Sequence, residues 1–350
     1  MSELFDAWSA AGAKEPHRRA LVQAWLAGLE LERVRERRTL PLSRSLAEAL
    51  PRFQAELDLL VRPVSEHPSA DGACRLLYRL GSGATVESVL LPREAVCVST
   101  QVGCAVGCRF CKTGESGLLA QLTDAEILAQ VALARRRRKT RRVVFMGMGE
   151  PAHNLEAVLE ALAWLGTEGR FAHKDLVFST VGDARAFERL AEHTVKPALA
   201  LSLHTTRAEL RAELLPRAPR IAPEELIELA DRYARRVGHP VQYQWTLLEG
   251  VNDGDGELDL LVRLLRGRKG IVNFIPFNAV EGSGYRRTPI ERCVAMVRHL
   301  KRNGVLATIR RSGGQDVEAA CGQLRARAPG GARSFAQAAH RVPVARVQPL

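Results

Sequence analysis

Apolar residues recur along this chain at two periods, and the change of period divides it. Over residues 16–29, Leu21, Val22, Trp25 and Leu29 fall close to one helical face, and residues 46–60 repeat the pattern. Residues 1–65 are therefore expected to form a small helical accessory domain. Two strand-like runs follow, Arg75-Leu-Leu-Tyr-Arg-Leu80 and Ala84-Thr-Val-Glu-Ser-Val-Leu-Leu91, on either side of Gly81-Ser-Gly83. Such runs joined by a glycine-rich turn predict a β-hairpin, so residues 66–93 read as a hairpin linker. In its second strand Glu87 shares a face with Val89 and Leu91. A carboxylate there is either solvated at an edge or held where its pKa is tuned, and the pattern alone favours the edge.

From residue 94 to 325 strand and helix patterns alternate, which predicts a core domain. Strands are expected over 95–100, 142–147, 175–180, 197–203, 240–248, 270–276 and 305–311. Thr123 with Glu126 and Thr206 with Glu209 carry the capping-box signature of helix starts, and Pro223 suits a first helical position. Repeated βα units predict an α/β fold with a parallel sheet, open or barrel-like. In barrel-type folds chemistry gathers at the C-terminal strand ends. The conspicuous polar residues obey this: a cysteine loop, Gly147-Met-Gly-Glu-Pro151, Ser179, Ser202-Leu-His204, Asn278 and a segment around Cys321 each follow a strand. Residues 326–350, rich in Arg, Ala and Pro, are expected to be a basic mobile tail.

Composition narrows the class. No apolar stretch is long enough to span a bilayer, and the first residues lack a basic segment followed by an apolar core, so a cytoplasmic protein is expected. The net charge of +12 suits a polyanionic partner such as RNA. The densest basic run is Arg135-Arg-Arg-Arg-Lys-Thr-Arg-Arg142. It reads as a phosphate-contacting surface or as a helix end whose dipole favours cations.

Seven cysteines lie at 74, 97, 104, 108, 111, 293 and 321, an odd and scattered set unlike a secreted disulfide framework. Cys104, Cys108 and Cys111 stand in Gly103-Cys-Ala-Val-Gly-Cys-Arg-Phe-Cys-Lys112 with no fourth cysteine nearby. Three thiolates hold three corners of a four-iron cluster and leave one iron open, whereas electron-transfer clusters are closed by four protein ligands. Zinc also takes thiolates, but structural zinc asks for four ligands. The spacing favours a [4Fe–4S] cluster with an open iron, the arrangement that reduces S-adenosylmethionine (SAM). Glu150 can accept from the ammonium of a bound amino acid, with glycines beside it that allow close approach.

Val98-Ser-Thr-Gln-Val-Gly-Cys104 with the cysteine triad, Met146-Gly-Met-Gly-Glu-Pro151, Ser202-Leu-His204, Gly250-Val-Asn-Asp253 and Ala319-Ala-Cys-Gly-Gln-Leu324 together resemble the RlmN/Cfr family of radical-SAM RNA methyltransferases. The similarity runs from about residue 15 to 325. It implies a partial (βα)6-type, TIM-like radical-SAM barrel over 94–325 and an RNA-binding role for the N-terminal helices. It implies two SAM molecules per turnover. One methylates Cys321; the other, on the open iron, yields a 5′-deoxyadenosyl radical that takes hydrogen from the methylated Cys321. The carbon radical adds to adenine, Glu87 accepts a ring proton, and Cys97 releases the product through a disulfide with Cys321. Gly149, Glu150, Ser179, Ser202, Leu203, His204 and Asn278 match SAM-binding positions.

The resemblance implies methylation at C2 of adenosine in 23S rRNA, and in tRNA beside the anticodon, by a monomer served by an external electron donor of the flavodoxin type. Because C2 and C8 are poorly nucleophilic, a carbon radical does what direct methyl transfer cannot. The alternatives are the Cfr-type reaction at C8 and an RNA-binding protein whose cluster is structural or redox-sensing. Thr100, Lys112, residues 214–220 and Gln242-Tyr-Gln-Trp245 depart from the family pattern.

Overall fold

The computed structural model describes residues 1–36, 40–280 and 282–326; the expected tail lies outside the described residues from position 327 onward. Three helices open the chain: α1 (Ser2–Ala10), α2 (Glu15–Leu26) and α3 (Arg44–Leu60). Leu21, Val22 and Trp25 are buried on α2, and Leu46, Leu50, Phe53 and Leu57 on α3, as the helical period predicts. Leu29 does not join them. The backbone turns left-handed at Gly28, and Leu29 is 46 % exposed beyond the helix end.

Next come strands β1 (Val61–Pro68), β2 (Cys74–Leu80), β3 (Thr85–Leu91) and β4 (Ala95–Cys97), each antiparallel to the one before. The expected hairpin is β2–β3. β1, which the sequence pattern did not announce, adds an edge strand to it. A small ribbon of β5 (Gln101–Gly103) and β6 (Leu118–Gln121) brackets the cysteine loop. After α4 (Asp124–Arg137) the alternation is regular. β7 (Arg142–Phe145), α5 (Leu155–Gly166), β8 (Leu176–Thr180), α6 (Ala184–Glu192) and β9 (Ala198–Ser202) are followed by α7 (Ala208–Leu214) and α8 (Pro223–Val237). β10 (Val241–Leu247), α9 (Asp255–Leu265), β11 (Gly270–Pro276), α10 (Ile290–Arg302) and β12 (Ala307–Ile309) complete the fold.

One ten-stranded sheet results, in the order β1-β2-β3-β4-β7-β8-β9-β10-β11-β12. The strands from β4 through β12 in this order are parallel, and they are the seven expected from the sequence. The sheet curls as a partial barrel with β3 and β4 on one side of its mouth and β12 on the other. Helices cover its outer face and share one contiguous apolar core with α1–α3.

Three expectations need correction. Thr123 and Glu126 form the capping box of α4, but Thr206 caps nothing: α7 starts after Arg207. The buried Glu257 of α9 takes the Thr206 amide at 2.8 Å and both the Thr205 and Thr206 hydroxyls, so a long-range carboxylate outcompetes a local cap. Glu87 is not at a solvated edge. It is 1 % exposed, with the Arg75 guanidinium on one carboxylate oxygen. The amides of Arg325 and Ala326 sit on the other at 2.8 and 3.0 Å.

The third correction concerns the basic run. Arg135 donates to the carbonyls of Leu26 and Gly169, each at 2.9 Å, and lies 3.9 Å from the Phe171 ring centre. Arg136 pairs with Asp58 of α3, Arg137 with Glu66 of β1, Lys139 and Arg141 with Glu94, and Arg142 with Asp175. Arg138 reaches the carbonyls of Gly72 and Leu91. Every cation of the run has an acceptor in its own chain: Arg135 and Arg136 fasten the N-terminal helices to α4, while Lys139, Arg141 and Arg142 remain more than half exposed. A Cβ at Gly28 would lie 2.8 Å from the Arg135 backbone, which shows how closely the two parts approach.

Arg135→Ala removes three charge-assisted bonds, to the carbonyls of Leu26, Thr140 and Gly169, and a cation–π contact, and is expected to destabilise the fold by about 2–4 kcal/mol in denaturant titrations. Arg141→Ala, an exposed pair, is expected to change stability by less than about 1 kcal/mol.

Candidate active site

The cysteine loop leaves β4 at a point held by a side chain from α4. The buried Gln130 amide accepts from the Ser99 backbone N–H at 2.9 Å and donates to the Ser99 carbonyl at 2.9 Å, replacing a strand partner. The Ser99 hydroxyl accepts from the Met148 amide at 2.8 Å and donates to the Glu87 carbonyl. The exits of β4 and β7 are thereby tied together. The loop closes where Gly103, at φ 75°, approaches Gly117; a Cβ there would lie 2.0 Å from the Gly117 carbonyl oxygen. Residues 214–217, one of the departures from the family pattern, support its far side, with Arg109 N–H donating to Leu214 at 3.0 Å and Arg217 to the carbonyls of Val106 and Ala105. Val106 and Phe110 pack with Leu214, Leu215 and Phe277 in a small apolar cluster of their own.

Two adjoining cavities occupy the barrel mouth. The inner one is lined by Cys104, Cys108, Cys111, Gly149, Glu150, Ser179, Ser202, His204 and Cys321, so nine of the expected site residues face one space. The outer one, about 710 Å³, runs into the barrel past Cys97, Gln242, Asn273 and Thr308. Cys111, Thr113, Met146, Gly147, Arg310, Cys321 and Gly322 line both and form the wall between them.

All seven cysteines are free thiols, so the expected Cys97–Cys321 disulfide is absent from this structure. Burial raises the Cys104 thiol to about 12 and pushes Cys108 and Cys111 upward, with mutual repulsion adding to it. Thiols this reluctant to ionise become thiolates only against a strong Lewis acid. Among the described residues no three His, Cys, Asp or Glu side chains are placed to hold a single metal ion. Three thiols of one loop around one space, with the cavity's other thiol, Cys321, on the wall shared with the second cavity, fit a multinuclear cluster with one open corner, and Cys104, Cys108 and Cys111 would hold it.

The inner cavity also suits an amino-acid moiety. At Gly149, φ 106°, a Cβ would lie 2.7 Å from Gln101 and 2.8 Å from the Thr100 hydroxyl, so only glycine lets the loop after β7 pack this closely on residues 100–101. Thr100 Oγ1 is buried without a partner. The Glu150 carboxylate accepts from the amides of Ala152 and Val181 at 3.1 and 2.9 Å, and burial raises its pKa. Arg211, buried nearby and lowered to about 10 by desolvation, is the compensating charge. It donates to the carbonyls of Val181 and Ser202.

His204 adopts φ 63°, a left-handed conformation held by the Gly250-Val-Asn-Asp253 segment: Asn252 donates to its carbonyl at 2.7 Å. Its Nδ1 accepts from Thr246 N–H at 2.9 Å, and its ring meets Phe110 edge-on at 4.8 Å. Burial, with Arg211 adding, lowers its pKa to about 3. A neutral imidazole is therefore presented to the cavity.

Four expected residues lie elsewhere. Leu203 points into the main core, and only its backbone, donating to the Gln244 carbonyl at 3.0 Å, serves the site. Asn278 sits behind the wall, donating to the Cys321 carbonyl at 3.0 Å, with its Oδ1 unpartnered. Glu87 lies beneath the Cys321 segment and lines neither cavity. Cys97 faces the outer cavity, its thiol raised to about 12 by burial and then by Cys321, with Arg310 opposing. Sequence reasoning missed Gln130, Arg211, Gln244 and Arg310. Gln244 could have been found from the polar alternation of Gln242, Gln244 and Thr246 along β10.

Residues 98–262 match the Radical SAM superfamily. The chain is 62 % identical over 92 % of its length, and 92 % of the relative's, to a probable RNA methyltransferase of Bordetella avium. It is 60 % identical, over 95 % of its length and 94 % of the relative's, to another of Methylibium petroleiphilum. This chain belongs to the radical SAM superfamily, in the family of these methyltransferases. The solved structure of a radical SAM methyltransferase from Sphaerobacter thermophilus superimposes with a TM-score of 0.76 at 37 % identity, covering 87 % of this chain and 96 % of that one.

A buried neutral His204 makes stability depend on pH. The unfolded chain takes up a proton below about 6.5 while the folded His204 stays neutral down to about 3, so this contribution is full above 6.5 and is lost as pH falls. The loss at pH 5.5 relative to 7.5 is about 1.4 kcal/mol. His204→Asn, which tolerates the left-handed backbone, is expected to reduce the measured pH difference by that amount in anaerobic denaturant titrations.

Proposed function

We propose that this protein methylates C2 of an adenosine in RNA, in 23S rRNA and in tRNA beside the anticodon, through a methyl group carried on Cys321. The observation that carries this reading is the place of Cys321 in the wall shared by the cysteine-lined cavity and the outer cavity that contains Cys97. A carrier must meet a methyl donor on one side and an acceptor on the other. The volume of the outer cavity, about 710 Å³, suits a nucleoside inserted from RNA. The relatives named probable RNA methyltransferases favour the same substrate class.

Bound at the inner cavity, the cluster and two SAM molecules supply the methyl group and the radical. The chain's own residues do the rest. The Cys321 thiolate takes the methyl group from one SAM, with S-adenosylhomocysteine as the leaving group, and the carbon it then carries, once stripped of hydrogen, bonds to the adenine ring. Glu150 and Gly149 orient the amino-acid end of SAM, and the neutral His204 lines the same space. Burial keeps Cys97 protonated at rest, so it does not attack Cys321 prematurely. Its thiolate, formed when substrate is present, attacks the Cys321 sulfur, releases the methylated base and leaves a transient disulfide, which an external thiol reductant resets with two electrons and two protons. Proton acceptance by Glu87 requires the amides of Arg325 and Ala326 to leave its second oxygen. Arg93 and Arg311 line the outer cavity without an acceptor among the described residues and are placed to meet RNA phosphates.

The test is anaerobic turnover with methyl-deuterated SAM, a reductant and protein-free rRNA and tRNA. Labelled 2-methyladenosine in the digested RNA is the expected result; labelled 8-methyladenosine instead moves the protein to the C8 reaction. Cys321→Ala is expected to abolish transfer while keeping iron and sulfide content, and Cys97→Ala to accumulate a covalent protein–RNA adduct. Normal turnover of Cys97→Ala without adduct would overturn the two-cysteine route. Arg93→Ala and Arg311→Ala are each expected to weaken RNA binding and to reduce the logarithmic salt slope by about one, measured by binding titrations across salt.

A further inference from the structure

Cys321 rides on a strap, residues 312–326, that crosses the barrel mouth with only a short helical turn at Gln315–Val317. Its middle rests on the cysteine loop. Lys112 N–H donates to the Gly322 carbonyl at 2.7 Å and the Thr113 hydroxyl to the Leu324 carbonyl at 2.6 Å. Both its ends are fastened elsewhere, to the β1–β3 hairpin sheet more than 200 residues earlier. At the leading end Asp71 accepts from the Gly314 amide at 2.9 Å. Asp316 reaches back to accept from the Ser69 hydroxyl at 2.5 Å and from the Ala70 amide at 3.1 Å. At the trailing end Glu87 holds the amides of Arg325 and Ala326. Arg75 joins the two ends. Its Nε donates to the Val317 carbonyl at 2.7 Å, and its guanidinium pairs with Glu87.

We propose that Asp71, Arg75 and Asp316 are positioning residues that hold the strap at a height placing Cys321 in the wall between the cavities. The inference rests on the reading of Cys321 as a methyl carrier, because only a residue that serves two cavities needs such placement. A backbone segment with little regular structure of its own has few means of fixing one side chain. Here carboxylates and a guanidinium from a rigid antiparallel sheet supply them through charge-assisted bonds. A packing role is a poor explanation for Asp316, which is exposed; its side-chain hydrogen bonds among the described residues are the two to the β1–β2 turn.

The experiment is alkylation of the cluster-loaded protein with iodoacetamide under anaerobic conditions, followed peptide by peptide on the unmethylated fraction. Asp316→Ala and Asp71→Ala are each expected to raise the Cys321 labelling rate about tenfold, the opening expected when one or two such bonds are lost. Cys293, buried on α10, is expected to label at the parental rate. Asp316→Asn retains an acceptor for the Ala70 amide and a group that the Ser69 hydroxyl can pair with, so it is expected to restore slow labelling. Arg75→Lys, which keeps the charge on Glu87 but loses the fork to Val317, is expected to fall between. Parental labelling of Cys321 in both alanine variants, or a rise shared equally by Cys293, overturns the inference. Mass spectrometry of Cys321 after incubation with methyl-deuterated SAM separates the two ideas. Faster labelling without a methyl group on Cys321 keeps the strap and removes the carrier reading. A methyl group with unchanged labelling does the reverse.

Discussion

One buried amide governs how the site is assembled. Gln130 of α4 satisfies both the N–H and the C=O of Ser99 just where the chain leaves β4. A strand ending inside a sheet leaves polar backbone groups that cost about 1–3 kcal/mol each if unpaired. Gln130 removes that cost while turning the chain out of the sheet and toward the cysteine loop. The Ser99 hydroxyl then binds the Met148 amide, so the loop after β7 is set relative to the loop after β4. Cys104, Gly149 and Glu150 reach one cavity because these two exits are locked together. The same amide accepts from Ser88 of β3, which connects the hairpin to the arrangement.

The two cavities divide the chemistry by electrostatics as well as by space. Around the inner one Glu150 is held by the amides of Ala152 and Val181, and His204 stays neutral because burial and Arg211 both oppose its charging. Ionisable groups in such a setting pair or stay neutral. The outer one is polar along its walls and carries cations at its edge, the complement of a nucleotide. Arg310 stands between them, donating to Gln244 at 3.1 Å and drawing the Cys97 thiol partway back toward its ordinary range.

The N-terminal helices are bound to this machinery by charge. The cations of the run 135–142 reach Asp58, Glu66, Glu94 and Asp175 and the carbonyl of Leu26, across separations of 33 to 109 residues where these are hydrogen-bonded. Arg135 and Arg136 are spent on these internal ties, whereas Lys139, Arg141 and Arg142 stay more than half exposed at the surface, where Arg93 and Arg311 are exposed as well. Net charge read along a chain counts all of them alike; folding separates the two kinds.

Much of this protein was written in local pattern. The seven parallel strands show as apolar runs bounded by turn signals because a strand buried on both faces needs apolar residues at nearly every position. The cysteine spacing and the glycines beside Glu150 show because metal binding and close backbone approach restrict residue type, and residue type is what a sequence records. What only the tertiary structure decided are the partnerships of polar groups. Glu87 looked like an edge carboxylate until the segment 325–326 and Arg75 covered it. Thr206 looked like a cap until Glu257 arrived from another helix. Asn278, which matches a SAM-binding position, holds the Cys321 carbonyl through its side-chain amide. A hydrogen-bonding side chain takes the best-placed acceptor or donor in space, and spacing along the chain cannot reveal a neighbour that folding brings from two hundred residues away.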